Sequence, residues 1–278
     1  MPVLPESSNL GQPQPGCCHL PGRRNICLSM DGFFNPSKHK NSNINELHNH
    51  IVQDSSQVSQ CFSSGAPRNP SVYHSIEMTM ARNFERTLLE AYAWLCTTYI
   101  PGDRIFLFGF SRGAYGVRII ADMIERVGLL YNENINLTQS VFKTYMCTRG
   151  TRSADGLKHA MELKCKIVKS DLSHAEVKVH FVGVWDTTSF GVVGFGSGAP
   201  ETVKGMKHIC HIRHALALDE KRVSYRQAST AESDLPEGTE KKYSGGNIKE
   251  VWFEGSHSDL TPYIFDIDVG IPEAMGAN

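Results

Sequence analysis

Residues 105–118 read Ile105-Phe106-Leu107-Phe108-Gly109-Phe110-Ser111-Arg112-Gly113-Ala114-Tyr115-Gly116-Val117-Arg118, and this stretch decides the fold. Its first four residues form an apolar run of strand length. The run stops at Gly109-Phe110-Ser111-Arg112-Gly113. From there Ala114, Val117, Ala121 and Ile124 recur three or four apart, the period of a helix with one buried face. The pattern is G-x-S-x-G set between a strand and a helix, the context in which it makes a nucleophile elbow. Ser111 then stands on a tight, strained turn with its hydroxyl presented. Gly109 and Gly113 let the strand and the helix approach closely. The new helix aims its unsatisfied N–H groups at any anion formed when Ser111 attacks a carbonyl.

A serine on such a turn needs a base and an acid, which follow in the order Ser, acid, His. Val177 to Val184 reads as a buried strand, followed by Trp185-Asp186-Thr187-Thr188. Ile248 to Phe253 reads as a later strand, followed by Glu254-Gly255-Ser256-His257-Ser258-Asp259. Ser111, Asp186 and His257 each sit just beyond the C-terminal end of a strand. In an open parallel sheet those ends share one edge, where ligands bind. Ser111 is read as the nucleophile, His257 as the base that takes and returns its proton, and Asp186 as the group that orients the imidazole. Asp259 is a rival acid, but it is only two residues from His257. Asp219 is a weaker rival, because its segment reads as helical. The simpler readings are a helix cap or Asx turn for Asp186 and a solvated loop residue for His257.

The 278 residues carry 28 basic and 29 acidic side chains, and 40% are hydrophobic. That length suits one large α/β domain with a sizeable core. Near-neutral charge gives no electrostatic reason to expect nucleic acid. Apolar runs are strand-sized or broken by charge, so no transmembrane segment is expected. Residues 1–22 hold five prolines and no apolar signal core, and read as a disordered tail. The eight cysteines show no disulfide spacing, so reduced thiols in a cytoplasmic protein are expected. The Cys17-Cys18 pair is at most a weak acylation signal.

Further along, Ile26 to Ser29 reads as the first strand, ending at Met30-Asp31-Gly32. Asn35 to Ser75 is polar and long. It is expected to hold a short helix near 44–52 and an excursion over the active site. Ile76, Met80, Phe84, Leu88, Tyr92, Leu95 and Tyr99 form a helical stripe stopped by Pro101-Gly102. Residues 114–130 are the helix after the elbow, and 132–171 read as peripheral helix. The Gly-rich loop 190–200 lacks a phosphate-loop ending and is placed beside the pocket. His208, Cys210, His211 and His214 crowd together. On a helix the three histidines would drift about 60° per step, away from a shared metal-binding face. They are read as cap or surface residues, and no metal or cofactor is expected.

The chain resembles the uncharacterised α/β-hydrolase family that includes the catalytic domains of Tle1-type type VI secretion phospholipases, fungal members above all. The resemblance runs from about Arg23 to Asp259. It rests on Arg24-Asn25-Ile26 leading to Asp31-Gly32, Pro36-Ser37-Lys38-His39, the 102–114 elbow segment, Val182-Gly183-Val184-Trp185-Asp186-Thr187, residues 213–220 (RHALALDE) and Val251-Trp252-Phe253 through His257-Ser258-Asp259. The resemblance implies a triad of Ser111, Asp186 and His257. It also implies that Asp31-Gly32-Phe33 helps build the oxyanion hole, with Gly32 or Phe33 joining the Arg112 backbone N–H. The chain departs from the family at Phe33-Phe34-Asn35, at 63–67 and after 259, where its C-terminus diverges.

The expectation is therefore an α/β-hydrolase-like domain over 23–278, with a mostly parallel sheet and helices on both faces. The expected activity is serine hydrolysis of an ester. A lipid or phospholipid is suggested by the resemblance, and a small soluble ester is the alternative. Peripheral membrane contact is compatible with this reading, and the sequence does not fix an oligomeric state. The rival from another class is a catalytically degenerate hydrolase-fold binding module.

Overall fold

A computed structural model describes residues 23–32, 42–52, 54–63, 73–149, 172–174, 176–188, 208–221, 247–257 and 259–260, without the side chains of 73–80 and 147–149. Residues 1–22, Phe33, the 190–200 loop and the segment after 260 lie outside the described residues.

Six strands form one sheet: β1 (Asn25–Asp31), β2 (Gln57–Ser63), β3 (Arg104–Phe110), β6 (Val179–Trp185), β7 (Ile209–Ala217) and β8 (Asn247–Phe253). Their order is β2-β1-β3-β6-β7-β8, and every neighbouring pair is parallel. The chain moves outward from β1 to β2, then returns to lay β3 on the other side of β1. The switch in strand order therefore lies between β1 and β3, where open α/β sheets form a ligand crevice. Gly32 and Ser111 follow the ends of those two strands.

The two faces follow from alternation along the central strands. Ile26, Leu28 and Met30 of β1, with Ile105 and Leu107 of β3, pack under α2 (Tyr73–Thr98) and α3 (Arg112–Val127). Cys27, Phe106, Phe108 and Phe110 point the other way, toward Ile44 and Ile51 at α1 (Asn43–His50). Helices thus cover both faces of a parallel sheet, which makes this an α/β fold of the expected class. The α1 helix starts where Ser42 accepts a hydrogen bond from the Asn45 N–H. The α2 stripe Phe84, Leu88, Tyr92 and Leu95 is buried, as its spacing requires.

Three expectations need correction. The polar 35–75 stretch does hold a short helix, but it also supplies β2, an edge strand (Gln-Val-Ser-Gln-Cys-Phe-Ser). An edge strand buries little, so its composition reads as loop. The elbow helix ends at Val127, where Gly128 adopts φ 77°. Leu129–Leu130 then pairs as β4 with β5 (Ser173–His174). Last, the histidine-rich segment is strand β7, and Asp219 follows it in a bend. The described part of 132–171 is a 3-10 turn (Asn132–Leu137) and α4 (Thr138–Arg149).

Candidate active site

The site is built from what each strand leaves at its C-terminal end. Strand β3 runs into Ser111, which takes φ 57° and ψ −119° before α3 begins. A non-glycine residue there costs about 1–3 kcal/mol and persists only if its surroundings hold it. They do: the Ser111 N–H donates to Trp185 O at 2.9 Å, and Ser111 O accepts from the N–H groups of Tyr115 and Thr188. The flanking glycines are steric requirements. A Cβ on Gly109 would lie 2.6 Å from the Ala114 backbone, and one on Gly113 would lie 2.0 Å from Met30 O. Either would wedge α3 away from the sheet.

Asp186 follows β6 and is fully buried, with a left-handed backbone at φ 42°. Its N–H donates to Ala215 O at 2.8 Å, and its Oδ1 accepts the Ala217 N–H at 3.1 Å. Its Oδ2 lies 2.5 Å from His257 Nδ1. His257 Nε2 lies 2.8 Å from Ser111 Oγ. The three residues expected to converge therefore form one buried hydrogen-bonded chain. With Nδ1 facing a carboxylate, Nε2 presents its lone pair to the serine hydroxyl. Such an imidazole can take a proton from Ser111 while Asp186 stabilises the resulting cation. Phe110, inside the elbow, stacks on the His257 ring with centroids 4.8 Å apart. It shields the ring from water and fixes its plane.

The rival acids do other work. Asp259 Oδ2 accepts from the Ser256 N–H and hydroxyl, both at 2.7 Å, and closes its own turn. Asp219 Oδ2 accepts the Gly255 N–H at 2.8 Å, and Gly255 needs its positive φ of 111°. Glu220 Oε2 accepts the His257 N–H at 3.1 Å. These carboxylates hold the loop that presents His257. The sequence missed this because Asp219 was read as lying within a helix. The signal was there in the two adjacent acids, Asp219 and Glu220.

The candidate oxyanion donors divide. Arg112 opens α3, where first-turn N–H groups have no acceptor within the helix. Gly32 sits against Ser111: a Cβ there would lie 3.0 Å from Ser111 Cβ. Its N–H, however, donates to Asp31 Oδ1 at 2.7 Å. Asp31 is buried, and its other oxygen accepts from the Ser42 hydroxyl at 2.7 Å. Burial pushes its carboxyl above the usual range, partly offset by those two hydrogen bonds.

The histidine cluster is neither a cap nor a surface feature. His214 is buried, and His208 Nε2 is 3.0 Å from Ala121 O of α3. No group of metal-ligating side chains occurs among the described residues. Cys27, Cys61, Cys96 and Cys210 are outside any disulfide. Burial pushes the Cys27, Cys61 and Cys96 thiols up to about 12. Among the described residues no helix is long and apolar enough to cross a membrane.

Comparison with known proteins identifies a family. A protein of Saccharomyces cerevisiae, the uncharacterized protein YEL023C, is 29% identical over 227 residues, covering 75% of this chain and 33% of that protein. The chain thus spans about a third of the length of that relative. The Tle1 effector bound to the VgrG spike of the type 6 secretion system is a structural neighbour. It has 13% identity and a TM-score of 0.40, over 86% of this chain and 51% of that one. An uncharacterized protein from Pseudomonas aeruginosa has 15% identity and a TM-score of 0.43, over 86% and 41%. Residues 24–263 match the family described as T6SS, phospholipase effector Tle1-like, catalytic domain. The chain belongs to that family.

Proposed function

We propose that this chain is a serine hydrolase that cleaves a lipid ester, a phospholipid above all, through an acyl-enzyme on Ser111. The observation that carries the reading is the buried chain from Asp186 through His257 to Ser111. Family membership supports the lipid class.

Ser111 Oγ attacks the ester carbonyl carbon as His257 Nε2 takes its proton. The carbonyl π electrons move to oxygen. The Arg112 N–H is the first donor to that oxyanion, and an N–H of Gly32 or Phe33 is the second. With Gly32 N–H on Asp31 Oδ1 in this structure, the second donor is either Phe33 or a Gly32 that has exchanged partners. Collapse breaks the ester C–O bond, and His257 returns the proton to the departing alcohol. Water then attacks the acyl-Ser111 carbonyl as His257 takes its proton; collapse breaks the bond to Ser111 Oγ, which receives that proton from His257, and the acid is released. A positioned base contributes roughly 10²–10⁴-fold, and one oxyanion donor on the order of 10²–10³-fold. The chemistry requires no cofactor.

Phospholipid vesicles incubated with the protein, with released fatty acid read by mass spectrometry, test the substrate class. Release that disappears in Ser111→Ala is expected. Cleavage of short soluble esters without any release from vesicles would move the substrate to the small-ester class. No turnover of either would favour a binding module.

A further inference from the structure

Residues 213–220 are only partly accounted for by the anchoring of the His257 loop. His214 in β7 is buried, with Nδ1 3.0 Å from Glu250 Oε1 on β8. Its Nε2 accepts the Thr187 N–H at 3.4 Å and lies 3.2 Å from Thr187 Oγ1. A backbone N–H can only donate, so Nε2 must present a lone pair. A carboxylate can only accept, so Nδ1 must carry the hydrogen. Both ends of the ring therefore specify the same neutral tautomer. The charged groups around it are Glu250 from β8, Arg118 from α3 and Asp186 from the end of β6. Burial holds its pKa below the ordinary histidine value, with Arg118 adding to the lowering and the two acids opposing it.

What the ring holds is the turn after the acid. Asp186 adopts its left-handed backbone immediately before Thr187. Thr187 and Thr188 are both buried. Thr188 N–H reaches Ser111 O at 3.3 Å, so the turn is fixed to β7 at one residue and to the elbow at the next. Two carboxylate–histidine pairs thus stand side by side. In one, Nε2 faces the serine hydroxyl; in the other, Nε2 faces the backbone that follows the acid.

We propose that His214 is a positioning residue: its imidazole, oriented by Glu250, holds Thr187 and thereby the strained Asp186 backbone that aims the carboxylate at His257. This rests on the serine-hydrolase reading above.

The test compares His214→Phe, which keeps ring volume but loses both nitrogens, with His214→Gln, whose amide oxygen reaches the place of Nε2. Two quantities are read on the folded full chain. One is the low-field proton resonance of His257 Nδ1 in its hydrogen bond to Asp186, assigned by its loss in His257→Ala. The other is the rate of fluorophosphonate labelling. In His214→Phe the resonance should shift or vanish, and labelling should slow by about 10–10²-fold, since a catalytic group misplaced by ~1 Å loses about 10²-fold. His214→Gln should restore both. An unchanged resonance and labelling within about twofold of wild type in His214→Phe would overturn the proposal. If His214→Phe does not fold, Glu250→Leu takes its place with the same two outcomes. A wild type that shows the resonance but does not label would defeat the hydrolase reading, while the resonance in the variants still decides the role of His214.

Discussion

Replacing Ser111 with glycine should make the protein more stable than replacing it with alanine. At an ordinary position the reverse holds, because glycine has more freedom to lose on folding, about 0.5–1 kcal/mol. Ser111 is not ordinary: at φ 57° and ψ −119° any side chain is strained, at about 1–3 kcal/mol. Both variants remove the hydroxyl and its bond to His257, so that loss cancels in the comparison. At the middle of both ranges, strain relief less the entropy term leaves glycine ahead by about 1 kcal/mol. At about 2–4 °C per kcal/mol for a domain approaching this size, the difference is a few degrees in melting temperature. Urea denaturation of the two variants measures it, and neither should label with a fluorophosphonate. An alanine variant as stable as the glycine variant, or more so, would show that the elbow stores no strain and that the Ser111 geometry is mis-assigned.

Other perturbations have equally definite outcomes. Gly113→Ala places a Cβ about 2.0 Å from Met30 O, so it should destabilise by roughly 1–3 kcal/mol or more by overpacking. It should also slow labelling, as α3 and β1 separate; wild-type stability in a melting experiment would contradict the packing. Asp186→Asn should keep the fold and cut turnover by about 10⁴-fold, since an amide stabilises neither the required tautomer nor the charged His257. Asp259→Asn should stay close to wild type, and equal losses in the two would reopen the choice of acid. Stability should also depend on pH through His214. Its folded pKa lies below 6.5, so as pH falls through about 6.5 the unfolded chain gains a proton that the native chain does not. That stability is fully present above this pH and is lost as pH falls through the folded value. His214→Gln should flatten this part of the stability–pH curve relative to wild type.

The turn at Ser111 was legible in the sequence because its signal is local. Five residues between an apolar run and a helical period specify a strand, a turn and a helix. Asp186 and His257 were legible for a related reason: each follows a strand, and parallel strands bring their ends together. Strand β2 was hidden because an edge strand buries too little to need an apolar pattern. Strand β7 was hidden because Ile209, Ile212, Leu216 and Ala217 mix spacings, while its His214 pairs with Glu250 and its Arg213 donates to the backbone of Ile212 and Asn247. Reading that segment as helix had a further consequence. It assigned Asp219 to a helix when it anchors the His257 loop, and it made His214 look superficial when it is buried beside the acid. The long-range bond from Glu220 to the His257 N–H could not be read from spacing at all.

The central claim is that Ser111 is a nucleophile activated by His257 and Asp186. Covalent labelling with a fluorophosphonate tests it most directly, because the probe phosphonylates Ser111 and needs the base and the oxyanion donors but no natural substrate. Wild-type protein should label, Ser111→Ala should not, and His257→Ala should label far more slowly. Folded wild-type protein that labels no more than Ser111→Ala would contradict the account and leave a hydrolase fold that binds without cutting.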